Sequence, residues 1–306
     1  MPPLAVSQPD TQSPDAPFLL HRVRVARRER LSAGFVRLTF TGPTLDRFAD
    51  PGLDQRIKLI LPGEAGSLDD LRFVDDWYGA WRGLPDERRP VIRTYTTRAV
   101  RPAAREVDVD LVLHEPSGPA GRFAAGCREG DEAVLCGPNV RAATSGGGID
   151  FRLPPAARRV LVAGDETALP AIARILEALP LGVRGVALVE VPSGDDGTQL
   201  PAHPGVEVRV LVRGSAPIGS LLAAAVRETA PRLVTTAVGE EPEDVDVDVG
   251  LLWEVPEGGD GPLYAWLAGE AGVIKALRRL LVAELGVDRR SVAFMGYWRR
   301  GRAEGS

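Results

Sequence analysis

The stretch RVLVAGDETALP, running from Arg159 to Pro170, decides the reading of this chain. Arg159–Ala163 is a short apolar run of the kind that forms a fully buried strand. Gly164 then breaks the run, and beyond it Ile172, Ile175, Leu176 and Leu179 recur at the spacing of one buried helical stripe. Asp165 or Thr167 is placed to cap that helix, and Pro170 falls where a first turn tolerates proline. A strand feeding a helix through glycine is the mononucleotide-binding arrangement at the carboxyl end of a parallel strand. The turn is not GxGxxG, and Asp165 and Glu166 would repel a phosphate placed directly on them. They suit hydrogen bonds to a ribose or a nicotinamide better.

Working outward, the same alternation continues to the end of the chain. Strands are predicted at Gly185–Glu190, Val206–Val212, Leu263–Ala268 and Val292–Tyr297, with helices over Ile218–Thr229 and Glu270–Leu285. Alternating strands and helices imply a mainly parallel sheet covered on both faces. Upstream the texture differs. Short strands at Gly34–Phe40, Arg56–Leu61, Ile92–Arg98, Val107–Leu113 and Glu132–Gly137 suggest a small closed antiparallel barrel. The best alternation puts Val107, Val109, Leu111 and Leu113 on one face and Asp108 and Asp110 on the other. Pro62–Pro90 is too long for a hairpin loop and reads as an insertion, with a possible helical turn near Asp75–Arg82. The expected organisation is a loose tail over 1–17, a barrel domain over 18–150 and an α/β domain over 156–306, joined by the Gly- and Pro-containing stretch Thr144–Pro155.

Composition excludes several classes. At 306 residues, 44% hydrophobic and 26% charged, the chain is an ordinary globular one of about two domains. No apolar run approaches the roughly 18 residues of a membrane span, so no stable membrane association is expected. No secretory signal is visible, and the expected location is the cytoplasm. Two cysteines, Cys127 and Cys136, are too few for a disulfide framework or a four-thiolate metal site. The net charge of −5 argues against a nucleic-acid partner. Residues 1–155 balance 21 basic against 21 acidic groups, so the deficit lies in the second half, concentrated at Glu240–Asp248. Any anionic ligand must therefore be recognised locally. Nothing suggests an obligate assembly, and a monomer is expected.

Four further segments carry candidate chemistry. In RTYTTR, residues 93–98, alternation places Arg93, Tyr95 and Thr97 on one side of a strand and Thr94, Thr96 and Arg98 on the other. A flat aromatic ligand with a diphosphate needs a ring to pack against, a hydroxyl for its polar edge and a guanidinium for phosphate. This segment supplies all three, although an amphipathic strand with solvated arginines would look the same. In HEPSGPAGRF, residues 114–123, Gly118 and Gly121 permit close backbone approach, and a helix starting near Ala120 would leave amides for a phosphate. A plain loop is the competing reading there. His114 reads as a turn residue at the mouth of that loop rather than as a general base. WLAGE, residues 266–270, repeats the strand-to-helix pattern, and GYWRRG, residues 296–301, sets two aromatics beside a guanidinium cluster. No zinc-type histidine spacing, Walker sequence or GxSxG elbow occurs.

Taken together, RTYTTR, SGPAGRF (117–123), GDETALPAI (164–172), WLAGE and GYWRRG resemble the siderophore-interacting protein family, flavin-dependent ferric-siderophore reductases of the ferredoxin–NADP reductase superfamily. The resemblance spans residues 18–302 with the motifs in the family's order. It implies an antiparallel barrel that binds FAD, followed by an α/β domain with a mainly parallel sheet that binds NADH or NADPH. By position, Arg93, Tyr95, Thr96 and Arg98 would hold the flavin ring and diphosphate. Gly118, Pro119 and Ala120, with His114 before them, would close over the phosphates. Gly164, Asp165, Glu166, Thr167, Ala268 and Glu270 would line the nicotinamide nucleotide. Lys58 and Arg299 match basic positions that face the ferric siderophore.

This chain departs from the family at three places. Gly121 and Phe123 stand where a serine and a tryptophan are usual, and Asn139 stands where an arginine is frequent, with Arg141 as a possible substitute. The implied activity moves electrons from NAD(P)H through flavin to ferric iron and needs no acid–base residue of the protein. A general flavin reductase with another acceptor, or a flavin- or chelate-binding protein without turnover, remain the alternatives.

Overall fold

The computed structural model describes residues 12–63, 66–114, 117–143, 146–234, 253–256 and 258–301. The acidic run Glu240–Asp248 and residues 1–11 of the expected tail lie outside the described residues. Packing divides the chain into two units, Met1–Glu29 with Val36–Pro51 and Arg56–Gly148, and Arg30–Phe35 with Gly52–Gln55 and Ile149–Ser306. The second unit thus takes two short segments that a division into consecutive ranges does not assign to it.

The first unit is a closed six-stranded antiparallel barrel in the order β1-β2-β5-β4-β3-β6. Its strands are β1 (Phe18–Arg30), β2 (Phe35–Thr41), β3 (Arg56–Leu61), β4 (Val91–Arg101), β5 (Glu106–Val112) and β6 (Glu132–Pro138). The sequence reading lacks β1, because its second half is a run of arginines that hides the alternation. Leu20, Val23 and Val25 are nonetheless buried, while Arg22 and Arg24 are exposed. The interior is filled by Val23, Val25, Val36, Leu38, Phe40, Ile57, Leu59, Val107, Val109 and Leu111. Each such side chain contributes about 1.5–3 kcal/mol on burial.

Asp108 and Asp110, on the other face of β5, are buried too. They are compensated there: Arg37 donates to Asp110 at 2.7 and 2.8 Å, and Arg101 to Asp108 at 2.6 and 2.7 Å. The Thr39 hydroxyl donates to Asp108 at 2.7 Å. The 62–90 insertion covers another part of the outer surface. Its Leu68, Leu71, Phe73, Trp77 and Trp81 pack on Leu20, Ile60, Ile92, Val134 and Cys136. Helix α1 (Trp77–Arg82) within it is capped by Asp76, which accepts from the Gly79 amide. The insertion is therefore an apolar cover. Cys136 is sealed beneath it, and burial pushes its thiol up to about 12.

Residues 12–17, placed by sequence in a loose tail, are instead held in place. Asn139 Nδ2 donates to the carbonyls of Pro14 and Ala16, both at 2.8 Å, and the Ser13 amide donates to Asp75 at 2.7 Å. Proline-rich composition hid this, because the contacts come from residues more than 60 positions away.

The second unit is a six-stranded sheet in the order β10-β12-β11-β7-β8-β9. Its strands are β7 (Arg159–Asp165), β8 (Arg184–Val191), β9 (Val206–Val212), β10 (Trp253–Glu254), β11 (Leu263–Glu270) and β12 (Val292–Trp298). All neighbours pair in parallel except β10, which runs antiparallel to β12. Helices α3 (Leu169–Ala178), α4 (Ser220–Leu233) and α5 (Ala271–Arg279) connect them, and α5 runs on into a π-helical turn over Leu280–Glu284. The stripe expected on α3 is buried at Ile172, Ile175, Leu176 and Leu179. Asp54 ties the 52–55 segment into this unit by accepting from the amides of Asp150 and Phe151 and from Trp266 Nε1. Among the described residues no helix is long and apolar enough to cross a membrane.

His21 tests the barrel's packing. It is buried against Phe48, its Nδ1 lies 2.8 Å from the Thr44 hydroxyl, and desolvation together with Arg47 lowers its pKa to about 4. The unfolded chain takes up this proton near pH 6.5 and the folded barrel resists it. Stability attributable to His21 is therefore complete above pH 6.5 and is lost as pH falls toward 4. We predict a loss of about 3 kcal/mol across that window. Urea unfolding at several pH values should show a flatter dependence for His21→Gln; an identical slope would refute the assignment.

Candidate functional site

In the first unit the candidate residues gather around β4. Its register pairs Arg93 with Leu59 and Tyr95 with Ile57, both interior residues, so this side of β4 turns toward the barrel interior. Tyr95 is half-buried against the interior cluster. Lys58, paired with Thr94, and Arg56, paired with Thr96, stand on the outer face. Lys58 Nζ donates to Thr94 Oγ1 at 2.6 Å. The expected alternation holds up to Thr97, where a bulge between Thr97 and Ala99 shifts the register. Arg98 Nε lies 3.8 Å from Asp110, so part of its charge is already committed to the barrel.

SGPAGRF is brought to β4 by the fold. Helix α2 (Pro119–Gly126) packs against β4 and β5, and its Ala120, Phe123 and Ala124 join the same interior cluster as Tyr95. Gly118 is the N-cap, no side chain caps the helix, and Pro119 occupies its first turn. A Cβ on Gly118 would meet nothing within 4 Å. Among the described residues, no side chain caps the first-turn amides of α2. That is a fit for a phosphate-bearing cofactor such as FAD. His114 is exposed just beyond β5, and Arg141 is exposed beyond β6.

In the second unit the candidates meet at the topological switch point. The strand order runs from β7 to β8 and β9 on one side and from β11 to β12 on the other, so the crevice lies at the carboxyl ends of β7 and β11. Gly164 and Asp165 end β7, and Ala268, Gly269 and Glu270 end β11. The two turns approach closely. A Cβ on Gly164 would lie 2.5 Å from the Ala268 carbonyl oxygen, and one on Gly269 (φ +150°) would lie 2.6 Å from Asp165 Oδ2. Only glycine is accommodated at either place.

Asp165 is the centre of this arrangement. Its Oδ1 accepts from the Thr167 amide at 2.9 Å and the Thr167 hydroxyl at 2.5 Å. Its Oδ2 accepts from the Glu270 amide at 2.8 Å and from Trp298 Nε1 at 2.9 Å. GDET, WLAGE and GYWRRG thus converge on one carboxylate, which burial and the neighbouring Glu166 push up to about 6. Glu166 is buried and paired bidentately with Arg213, both contacts at 2.6 Å. Glu270 caps α5 by accepting from the Val273 amide. Arg299 follows directly on Trp298, the residue that Asp165 holds. Arg213 and Glu190, which share this edge, escaped the sequence reading because nothing local to them signals a site. Among the described residues no group of three His, Cys, Asp or Glu is arranged to hold a metal.

With this geometry in hand, two family models match the chain: "Siderophore-interacting FAD-binding domain" over residues 24–142 and "Siderophore-interacting protein" over 157–301. An uncharacterized protein of Mycobacterium tuberculosis is 34% identical over 93% of this chain and 92% of its own. The chain belongs to the siderophore-interacting protein family. Ferric vibriobactin reductase ViuB of Vibrio cholerae is 28% identical, covering 91% of this chain and 89% of that one. The crystal structure of a siderophore utilization protein from T. fusca aligns with a TM-score of 0.67 at 26% identity, covering 94% of this chain and 95% of that one.

Set beside other siderophore-interacting proteins, the departures acquire local reasons. A Cβ on Gly121 would lie 2.5 Å from the Ser117 hydroxyl oxygen, so a hydroxyl from a different residue already occupies the space of the usual serine. Phe123 packs into the barrel core. Asn139 is buried and spends its amide on the carbonyls of Pro14 and Ala16.

Both oxygens of Asp165 accept from protein donors, so an amide at this position must turn its NH2 toward one donor pair. We expect Asp165→Asn to lower stability by about 2–4 kcal/mol. Trp298 should become more exposed, which acrylamide quenching will report; unchanged unfolding and quenching would remove Asp165 from its central role.

Proposed function

We propose that this chain is an FAD-dependent reductase that moves electrons from NADH or NADPH to ferric iron held in a siderophore. The observation that carries the reading is the pairing, in one chain of this family, of two features. One is a barrel whose helix α2, packed against the RTYTTR strand, has no capping side chain among the described residues; the other is a parallel sheet whose switch point is built from close-packed glycines. The name of ViuB, a relative along nearly the whole chain, supports ferric reduction as the activity.

FAD, when bound, supplies the chemistry of accepting two electrons together and releasing them singly. The balance is one NAD(P)H and two ferric ions giving NAD(P)+, two ferrous ions and one proton. Hard anionic oxygen donors hold ferrous iron less tightly than ferric, so reduction loosens the complex. The protein's work is positioning. Arg93 would contribute a charge-assisted contact to the cofactor diphosphate, with the α2 amides beside it. Tyr95 and Thr96 would pack against the ring and meet its polar edge. Asp165, through Glu270 and Trp298, would hold the nicotinamide side in register. Lys58 would supply positive charge for an anionic chelate, and Arg141 and Arg299 are the other basic residues carried over for that role, each on its own unit.

Anaerobic mixing of the flavin-loaded protein with NADH or NADPH should bleach the flavin, and ferric chelate should restore it, with ferrous iron trapped by a chromophoric ligand. A flavin that no nicotinamide bleaches would reject the reductase. Arg93→Ala should weaken flavin retention by about 1.5–3 kcal/mol, read as flavin occupancy after gel filtration. Lys58→Ala should weaken anionic chelates more than neutral ones; equal effects would dismiss its electrostatic role.

A further inference from the structure

The end of β12 is tied to both strand-to-helix turns of the second unit, the one after β7 and the one after β11. A bulge between Gly269 and Glu270 leaves Gly269 opposite Gly296 but Glu270 opposite Trp298, so Tyr297 is the extra residue on β12. A bulge of this kind re-aims the side chains that follow it. Tyr297 stacks on Trp253, with ring centroids 5.7 Å apart, and meets Trp266 edge-on. Trp298 reaches Asp165 instead, donating from Nε1 to Oδ2 at 2.9 Å. That same Oδ2 accepts from the Glu270 amide at 2.8 Å. Glu270 in turn reaches the residues after β12. Its Oε1 accepts from the Arg300 amide at 3.4 Å, while Oε2 accepts from the Val273 amide at 3.0 Å.

These contacts close a ring. It runs from Trp298 to Asp165, on to Glu270 and back to Arg300, and the backbone completes it through Arg299. Both chain neighbours of Arg299 are therefore held by hydrogen bonds. The two carboxylates are occupied by protein donors, so their part is to hold rather than to meet a ligand. Indole Nε1 is a donor only, which fixes the direction of the Trp298 contact, and an ionised acceptor makes that contact a strong one. Arg299 itself is half-buried and Arg300 exposed. A long, flexible side chain loses entropy when it orders on a ligand. Fixing the backbone that carries it lowers the remaining cost of the encounter.

We propose that Asp165 is a positioning residue for Arg299. Through Trp298 on one side and Glu270 on the other, it holds the Arg299 backbone where the guanidinium meets an anionic ligand at the end of β12. The proposal rests on the reductase reading for the identity of that anion, a ferric chelate of net negative charge, and it adds the device that places the cation. The contribution of Trp298 is its N–H.

The test uses the full flavin-loaded chain and two gallium(III) complexes, which share the charge and shape of ferric ones and are not reduced. They are the trianionic tris-catecholate and the neutral tris-acetohydroxamate, each titrated calorimetrically with chelator in excess. Arg299→Ala should weaken binding of the trianion roughly tenfold and leave the neutral complex unmoved. Trp298→Phe keeps an aromatic ring and removes the N–H; it should weaken the trianion about threefold, again without effect on the neutral complex. Adding Trp298→Phe to Arg299→Ala should cost nothing further, because the hydrogen bond then has no guanidinium to place. Arg300→Ala, whose backbone tie survives, should lose less than Arg299→Ala. Additive losses, an equal loss for the neutral complex, or an Arg300→Ala effect as large as that of Arg299→Ala would each overturn the proposal. So would a trianion that does not bind, or one whose binding ignores Trp298→Phe or Arg299→Ala. The expected pattern in a protein whose flavin no nicotinamide bleaches would support the positioning role and count against the reductase alone.

Discussion

A single desolvated carboxylate organises the second unit. Asp165 is buried, and taking its charge out of water is costly unless donors replace the lost hydration. Four donors do so, from the residues just after it, from the turn after β11 and from the end of β12. Burial and the neighbouring Glu166 nonetheless push its pKa up to about 6. The glycines at 164 and 269 follow from the same constraint. Two strand-to-helix turns converge on one side chain, and no Cβ fits between them.

The same use of carboxylates recurs around the edge. Glu190 and Glu270 satisfy helix starts with the protein's own negative charge, as Asp165 does in its turn. This leaves the sheet with a rigid, self-satisfied rim. The first unit follows the opposite principle. Its buried carboxylates, Asp108 and Asp110, are matched with arginines on neighbouring strands, and among the described residues no side chain caps α2.

Much of this was legible in sequence for identifiable reasons. The strand-to-helix turns at Gly164 and Gly269 announce themselves by an apolar run followed by glycine and acid, a purely local pattern. The alternation in β5 and the stripe on α3 are equally local. What escaped was carried by distance. β1 was hidden by its arginines, which are tolerated because they point outward. The anchoring of residues 12–17 depends on Asn139, and the pairing of Glu166 depends on Arg213, 47 positions away.

The amino-acid sequence alone determined the two-part organisation, the family and the motif residues, because periodicity, turn chemistry and motif order are properties of neighbouring positions. Only the tertiary structure decided which acids serve the fold and which groups remain for a ligand. That division depends on which donors surround each carboxylate once water has been removed, and the donors around Asp165, Glu166 and Glu190 come from strands and helices far apart along the chain.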